Sequence, residues 1–85
     1  MITIYGHPRC GWCIRAKNLA KRYDLTYEWK DTDDSENLNE LKAKLPDLEK
    51  ITVPQIWWHD NYIGGYDKFA VEIENTIGGY GDQRF

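Results

Sequence analysis

The sequence predicts an α/β protein: a single domain, 1–85, built on a four-stranded mixed sheet covered by helices on both faces. Three observations predict it. A chain of 85 residues has room for one modest core. Its apolar patterning runs strand, helix, strand, helix, two-stranded hairpin, helix. Finally, Cys10-Gly11-Trp12-Cys13 stands where the first strand pattern hands over to the first helical one.

The elements follow in order. Met1 to Tyr5 is apolar and β-rich, as expected of a buried strand, and Gly6-His7-Pro8 breaks it. A helix then runs from about Gly11 to Tyr23, with Ala16, Leu19, Ala20 and Tyr23 as its core stripe and Arg15, Lys17, Lys21 and Arg22 in solvent. Leu25 to Trp29 reads as a second strand, parallel to the first through a right-handed crossover, its aromatics serving core and cross-strand packing. Asp31 to Asn39 is polar and acidic. In it, Asp33 and Glu36 resemble a capping box that opens a second helix, whose Leu38, Leu41 and Leu45 stripe is stopped by Pro46. After a connection, Thr52 to Trp58 reads as a third strand with Pro54 at its start, since a central ladder has no use for a proline, and there a cis Val53–Pro54 bond is possible. His59-Asp60-Asn61 turns the chain into a short strand at Tyr62-Ile63. Gly64-Gly65 is a side-chain-free step before a third helix with Phe69, Ala70, Ile73 and Ile77 on its inner face and Gly78-Gly79 at its end; 79–85 reads as a flexible tail.

Composition narrows the classes. Hydrophobic residues make up 41% and charged residues 29%, which is globular and not disordered. Net charge is -3 and no basic stripe is evident in the sequence, which argues against nucleic acid as a partner. No apolar run approaches membrane-spanning length and no signal-peptide pattern opens the chain, so a cytoplasmic monomer that engages no membrane is expected. In that compartment two cysteines stay reduced, and a C-x-x-C pair is catalytic in preference to structural.

The dithiol carries the chemistry. Cys10 falls at the first helical turn, where unpaired backbone N–H groups and the helix dipole favour its thiolate. Cys13, three residues on, lies on the same face within disulfide reach. Two structural cysteines or half of a zinc site are the competing readings. A structural zinc takes four ligands, one C-x-x-C supplies two, and neither His7 nor His59 has the spacing of a second pair. Redox chemistry is the favoured reading.

Three separated signatures bear on the family: Cys10-Gly11-Trp12-Cys13 followed by Ile14-Arg15-Ala16-Lys17, then Thr52-Val53-Pro54-Gln55-Ile56, then Ile63-Gly64-Gly65-Tyr66. In this order and spacing, over nearly the whole chain, they resemble the short dithiol glutaredoxins of phages and bacteria. The resemblance implies a thioredoxin fold and a thiol–disulfide oxidoreductase that reduces protein disulfides and glutathione mixed disulfides. Cys10 would be the nucleophile and Cys13 the resolving thiol. No bound cofactor or metal is implied; glutathione is the reductant and ribonucleotide reductase one protein substrate. The glutathione site carried over by position comprises Arg9, Trp12, Thr52, Val53, Pro54, Gly64, Gly65, Tyr66 and Asp67, with the Val53 backbone pairing to glutathione as a short β-bridge.

The chain departs from the family pattern in three places. Gly11 replaces the proline of Cys-Pro-Tyr-Cys, which keeps open a glutathione-ligated [2Fe–2S] module and a thioredoxin reduced by a flavoenzyme. His7 stands where the family has lysine, with Arg9 beside Cys10. Gly64-Gly65-Tyr66-Asp67-Lys68 moves the acid one place early, so that Asp67 either meets the γ-glutamyl ammonium or caps the third helix. Because the whole chain is negative, attraction of anionic glutathione falls to local cations, Arg9 first and Lys68 second.

Overall fold

The computed structural model describes residues 1–77 and forms them into β1 (Ile2–Gly6), α1 (Gly11–Arg22), β2 (Tyr27–Asp31), α2 (Ser35–Lys44), β3 (Gln55–Trp58), β4 (Asn61–Gly64) and α3 (Tyr66–Ile77). The side chain of Ile77, the Gly78-Gly79 stop and the tail 79–85 lie outside the described residues. The sheet order is β2-β1-β3-β4, with β1 parallel to β2, antiparallel to β3, and β3 antiparallel to β4. This is the expected four-stranded mixed sheet.

Alternation along β1 divides the core. Ile2 and Ile4 join Ile56 of β3, Ala16 and Ala20 of α1, and Phe69 and Ile73 of α3 in one buried cluster. Alanine at two successive turns lets α1 lie close against the sheet. Tyr5 turns the other way and packs with Trp57 and with Leu41 of α2. Helices therefore cover both faces, α1 and α3 on one and α2 on the other. Glu40 fastens the α2 side: its carboxylate accepts from the Tyr5 hydroxyl and, at 2.7 Å, from Lys30 Nζ. The Lys30 hydrogen bond, then that of Tyr5, holds the Glu40 carboxyl below its ordinary range, while burial, then Glu40, pushes the Tyr5 phenol up. Among the described residues, no helix is long and apolar enough to cross a membrane.

Several expected boundaries move, each for a local reason. Tyr23 is not core: α1 ends at Arg22, Asp24 takes a φ of 57°, and the Leu25 N–H closes the helix onto the Ala20 carbonyl at 2.9 Å. Tyr23 is left exposed and Leu25 packs on the core in its stead. With its amide so used, Leu25 cannot begin the ladder, and β2 starts at Tyr27. The cap of α2 is Asp34, which accepts from the Glu36 N–H at 2.9 Å; Asp33 instead turns back to His7. β3 begins only after Pro54, which has no N–H to give. Asn61 and Gly64 belong to β4, not to the turn and the step before the third helix expected of them. Gly6 does not break β1 but ends it. A Cβ there would stand 2.7 Å from Trp29 Cη2 and 3.0 Å from Cys13 Cβ, so glycine is required by close approach.

Candidate active site

Cys10 is the N-cap of α1, one residue before the first turn in which it was expected. Its backbone is extended, its carbonyl accepts from the Ile14 N–H at 3.1 Å, and its Sγ accepts from the Cys13 N–H at 3.3 Å. The sulfur thus takes the capping role usually given to a serine or aspartate oxygen. The turn before it is tied down through His7. The His7 carbonyl accepts from the Cys10 N–H at 3.0 Å and its Nδ1 accepts from the Arg9 N–H at 3.0 Å. Nε2 then lies 2.8 Å from Asp33 Oδ1, across to the acidic segment.

The two thiols are free and unlike. Cys10 is half-buried, whereas Cys13 is fully buried against Gly6 and the sheet. Burial first, and the hydrogen bond with Cys10 second, push the Cys13 thiol up to about 12. One sulfur is therefore presented to a partner and the other is held behind it as a neutral thiol.

The facing wall comes from the segment before β3. The Val53–Pro54 bond is cis, Pro54 is buried, and the Cys10 thiol points at the Val53 carbonyl at 3.7 Å. Beside Val53 and Pro54 opens a cleft of about 550 Å³, whose lining includes neither cysteine. It brings together Trp12, Thr52, Val53, Pro54, Gly64, Gly65, Tyr66 and Asp67, the expected residues, with Lys68. Arg9 is not part of its lining and lies exposed outside it. Trp12 is 53% exposed, with its ring 5.4 Å from that of Tyr66 and the Arg15 guanidinium 4.9 Å from its centroid.

Gly64 has a φ of 112°, and a Cβ there would meet Lys68 Cδ at 3.3 Å, so the chain needs glycine to turn here. Gly11, by contrast, has open space around it, and no contact requires its lack of a side chain. Asp67 does not cap α3. That helix starts at Tyr66 with the Phe69 N–H on the Gly65 carbonyl at 3.0 Å, and Asp67 sits exposed in its first turn at the cleft rim.

Gln55, Tyr62 and Ile63 also line the cleft and were not expected there. Gln55 is 5% exposed. Its Oε1 accepts from the Tyr62 hydroxyl at 2.6 Å and its Nε2 donates to Thr52 Oγ1 at 3.1 Å, which pins the loop carrying Val53 to the β3–β4 hairpin. The available signal was a lone amide between Pro54 and an apolar run.

Comparison with known proteins gives a consistent result. The family model described as Glutaredoxin matches residues 2–63. The chain is similar to a glutaredoxin of Haemophilus influenzae, 32% identical over 82 residues that cover 91% of this chain and 94% of that one. It is also similar to Glutaredoxin 1 of Escherichia coli, 32% identical over 84 residues covering 88% and 94%. The structure of reduced Escherichia coli glutaredoxin superposes with a TM-score of 0.74 at 31% identity, covering 92% of this chain and 98% of that one.

Proposed function

The chain belongs to the glutaredoxin family, and from that premise we propose that it is a glutathione-dependent thiol–disulfide oxidoreductase working through Cys10 and Cys13. The observation that carries this reading is the placement of Cys10 Sγ: at the N-cap of α1, 3.7 Å from the carbonyl of Val53, a residue that lines the open cleft, with Cys13 buried behind it.

The steps follow from that placement. The Cys10 thiolate attacks one sulfur of a substrate disulfide, forming a mixed disulfide and releasing the other sulfur as a thiolate that takes up a proton. Cys13 then loses its proton and attacks Cys10 Sγ. This frees the second substrate thiol and leaves a Cys10–Cys13 disulfide. Two glutathiones reduce it in turn, the first through a mixed disulfide with Cys10, and depart as glutathione disulfide. A glutathionylated substrate needs only Cys10, since a second glutathione resolves the intermediate. The Cys13 N–H on Cys10 Sγ supports the sulfur whenever it carries negative charge.

The cleft suits a short extended tripeptide. The Val53 backbone offers one edge for β-type pairing, and Gly64 and Gly65 let a ligand approach the main chain. Asp67 and Lys68 at the rim have the charges for the γ-glutamyl ammonium and a carboxylate, and Arg9, next to Cys10 in the chain and exposed outside the cleft lining, is a further cation. The reading extends to a cytoplasmic monomer with no resident metal or organic cofactor.

The test uses a glutathionylated peptide with glutathione as reductant. Cys10→Ser should lose all turnover and Cys13→Ser should keep most of it. Turnover near the parent level in Cys10→Ser, or activity with thioredoxin reductase but none with glutathione, would overturn the reading.

A further inference from the structure

Charge is unevenly spread along α1. From Arg9 to Arg22 the chain carries Arg9, Arg15, Lys17, Lys21 and Arg22 and no acid, although the whole protein is at -3. Among the described residues none of the five pairs with a carboxylate. The fold sorts them in a way the linear sequence hides. Lys17 lies over Trp29, 4.9 Å from its centroid, on the β2 side. Arg15 lies against Trp12 at the cleft edge. Arg22, two turns further on, joins Arg15, Asn18, Leu19 and Tyr66 around a shallow groove of about 190 Å³. Tyr66 lines both this groove and the cleft, so the two adjoin across its side chain. A strip therefore leads away from Cys10 past exposed Trp12, then Arg15, to Arg22.

We propose that this strip docks an acidic stretch of the protein whose disulfide is reduced, on one side of the reacting cysteine; the proposal rests on the oxidoreductase reading and names the substrate chemistry it favours. Helical rise puts Arg15 roughly 8 Å and Arg22 roughly 18 Å along the axis from Cys10. An extended chain advances about 3.3 Å per residue. The matching carboxylates thus fall about two to three and about five to six residues from the substrate cysteine. Glutathione, held by its own cysteine at Cys10, is too short to reach Arg22. The strip serves a longer partner. Two arginines in a negative protein also fall well short of the six to ten phosphate contacts typical of a nucleic-acid site. The acidic segment with Asp31, Asp33, Asp34 and Glu36 repels a long polyanion further. Trp12, beside the reacting sulfur, offers an apolar surface to the residues between cysteine and acid.

The experiment compares glutathionylated ten-residue peptides carrying Glu at those two positions with twins carrying Gln, in one series on the N-terminal and in another on the C-terminal side of the cysteine. In one series kcat/KM for the Glu peptide should exceed that of its twin by roughly three- to tenfold at low salt, mostly through KM, with the gap closing at high salt. Arg22→Gln should shrink that preference, and Arg22→Glu should reverse it toward a Lys-bearing peptide. Turnover of bis(2-hydroxyethyl) disulfide, too small to reach the strip, should be unchanged in both variants. Equal kcat/KM for Glu and Gln twins in both series, or a preference that survives Arg22→Glu, overturns the proposal. So does a single-stranded oligonucleotide of equal charge that competes as well as the Glu peptide. Loss of turnover on every substrate, the small disulfide included, overturns the oxidoreductase reading instead.

Discussion

The two faces of the sheet hold their helices by different means. Under α1 and α3 lie seven buried apolar residues, from Ile2 to Ile73. On the α2 side, among the described residues, the buried cluster is Tyr5, Leu41 and Trp57, supplemented by the Glu40 carboxylate between Lys30 and the Tyr5 hydroxyl. Trp57 meets Tyr5 edge-on at 5.4 Å, and Lys44 stands 5.1 Å from its ring. The dithiol belongs to the first face. A sulfur that must stay neutral until it is needed is kept dry there, whereas α2, remote from the chemistry, can be held by groups that remain half wet.

The largest expected effect tests that dryness directly. The Cys13 thiol is pushed up to about 12, and only a thiolate attacks. With Cys10 trapped in a mixed disulfide, burial remains as the dominant cause. Raising pH increases the thiolate fraction, so single-turnover resolution by Cys13 should rise roughly tenfold per pH unit between about pH 6 and 9. A plateau in stopped-flow rates within that window would show that water reaches Cys13.

Next come the packing anchors. Phe69→Ala on the apolar face should lower unfolding free energy by about 3–5 kcal/mol, and Leu41→Ala on the other by about 2–3 kcal/mol. Urea denaturation ranks them, and the reverse order would erase the distinction between the faces. Gly6→Ala, which drives a methyl at the Trp29 ring and Cys13, should cost about 1–3 kcal/mol and shift Trp29 emission.

The smallest effect is on the wet face. Glu40→Gln should cost about 1 kcal/mol or less, because Glu40 is 42% exposed and its pairs are screened. Its carboxyl is lower in the folded state than in the unfolded one. The stabilisation is therefore complete above the unfolded value of about 4.3 and is lost as pH falls through the folded value. Melting curves of parent and variant should converge in acid. A gap that stays constant to about pH 2 would mean that Glu40 acts by packing alone.

What the sequence made legible were residue types with unusual backbone or chemical demands. Cys10 and Cys13 stand at the start of α1, Cys10 facing the Val53 carbonyl, and Pro54, Gly64 and Gly65 line the cleft. What it hid were choices between equals. Asp33 and Asp34 are chemically alike and adjacent; His7, distant in sequence, claims one and leaves the other to cap α2. Leu25 looked like a strand residue until its amide was needed to close α1. Gln55 and Tyr62 become a pair only when β3 and β4 lie side by side, so no local pattern could announce them. Arg9 is next to Cys10 in the chain, yet the tight turn through His7 leaves it outside the cleft.

The central place of β1 has a consequence for a chain still being made. Cys10 and the Val53 carbonyl that faces it are 43 residues apart. At about 5–20 residues per second, the dithiol leaves the ribosome roughly 2–9 s before the wall opposite it. During that interval β1 lacks its β3 neighbour, and α1 lacks the α3 residues that share its core. The sulfurs then exist without the pocket that selects their partners, and any oxidant in reach meets both. On the proposed reading, a newborn chain thus depends on the reducing power of its surroundings before it can draw on that power as a catalyst.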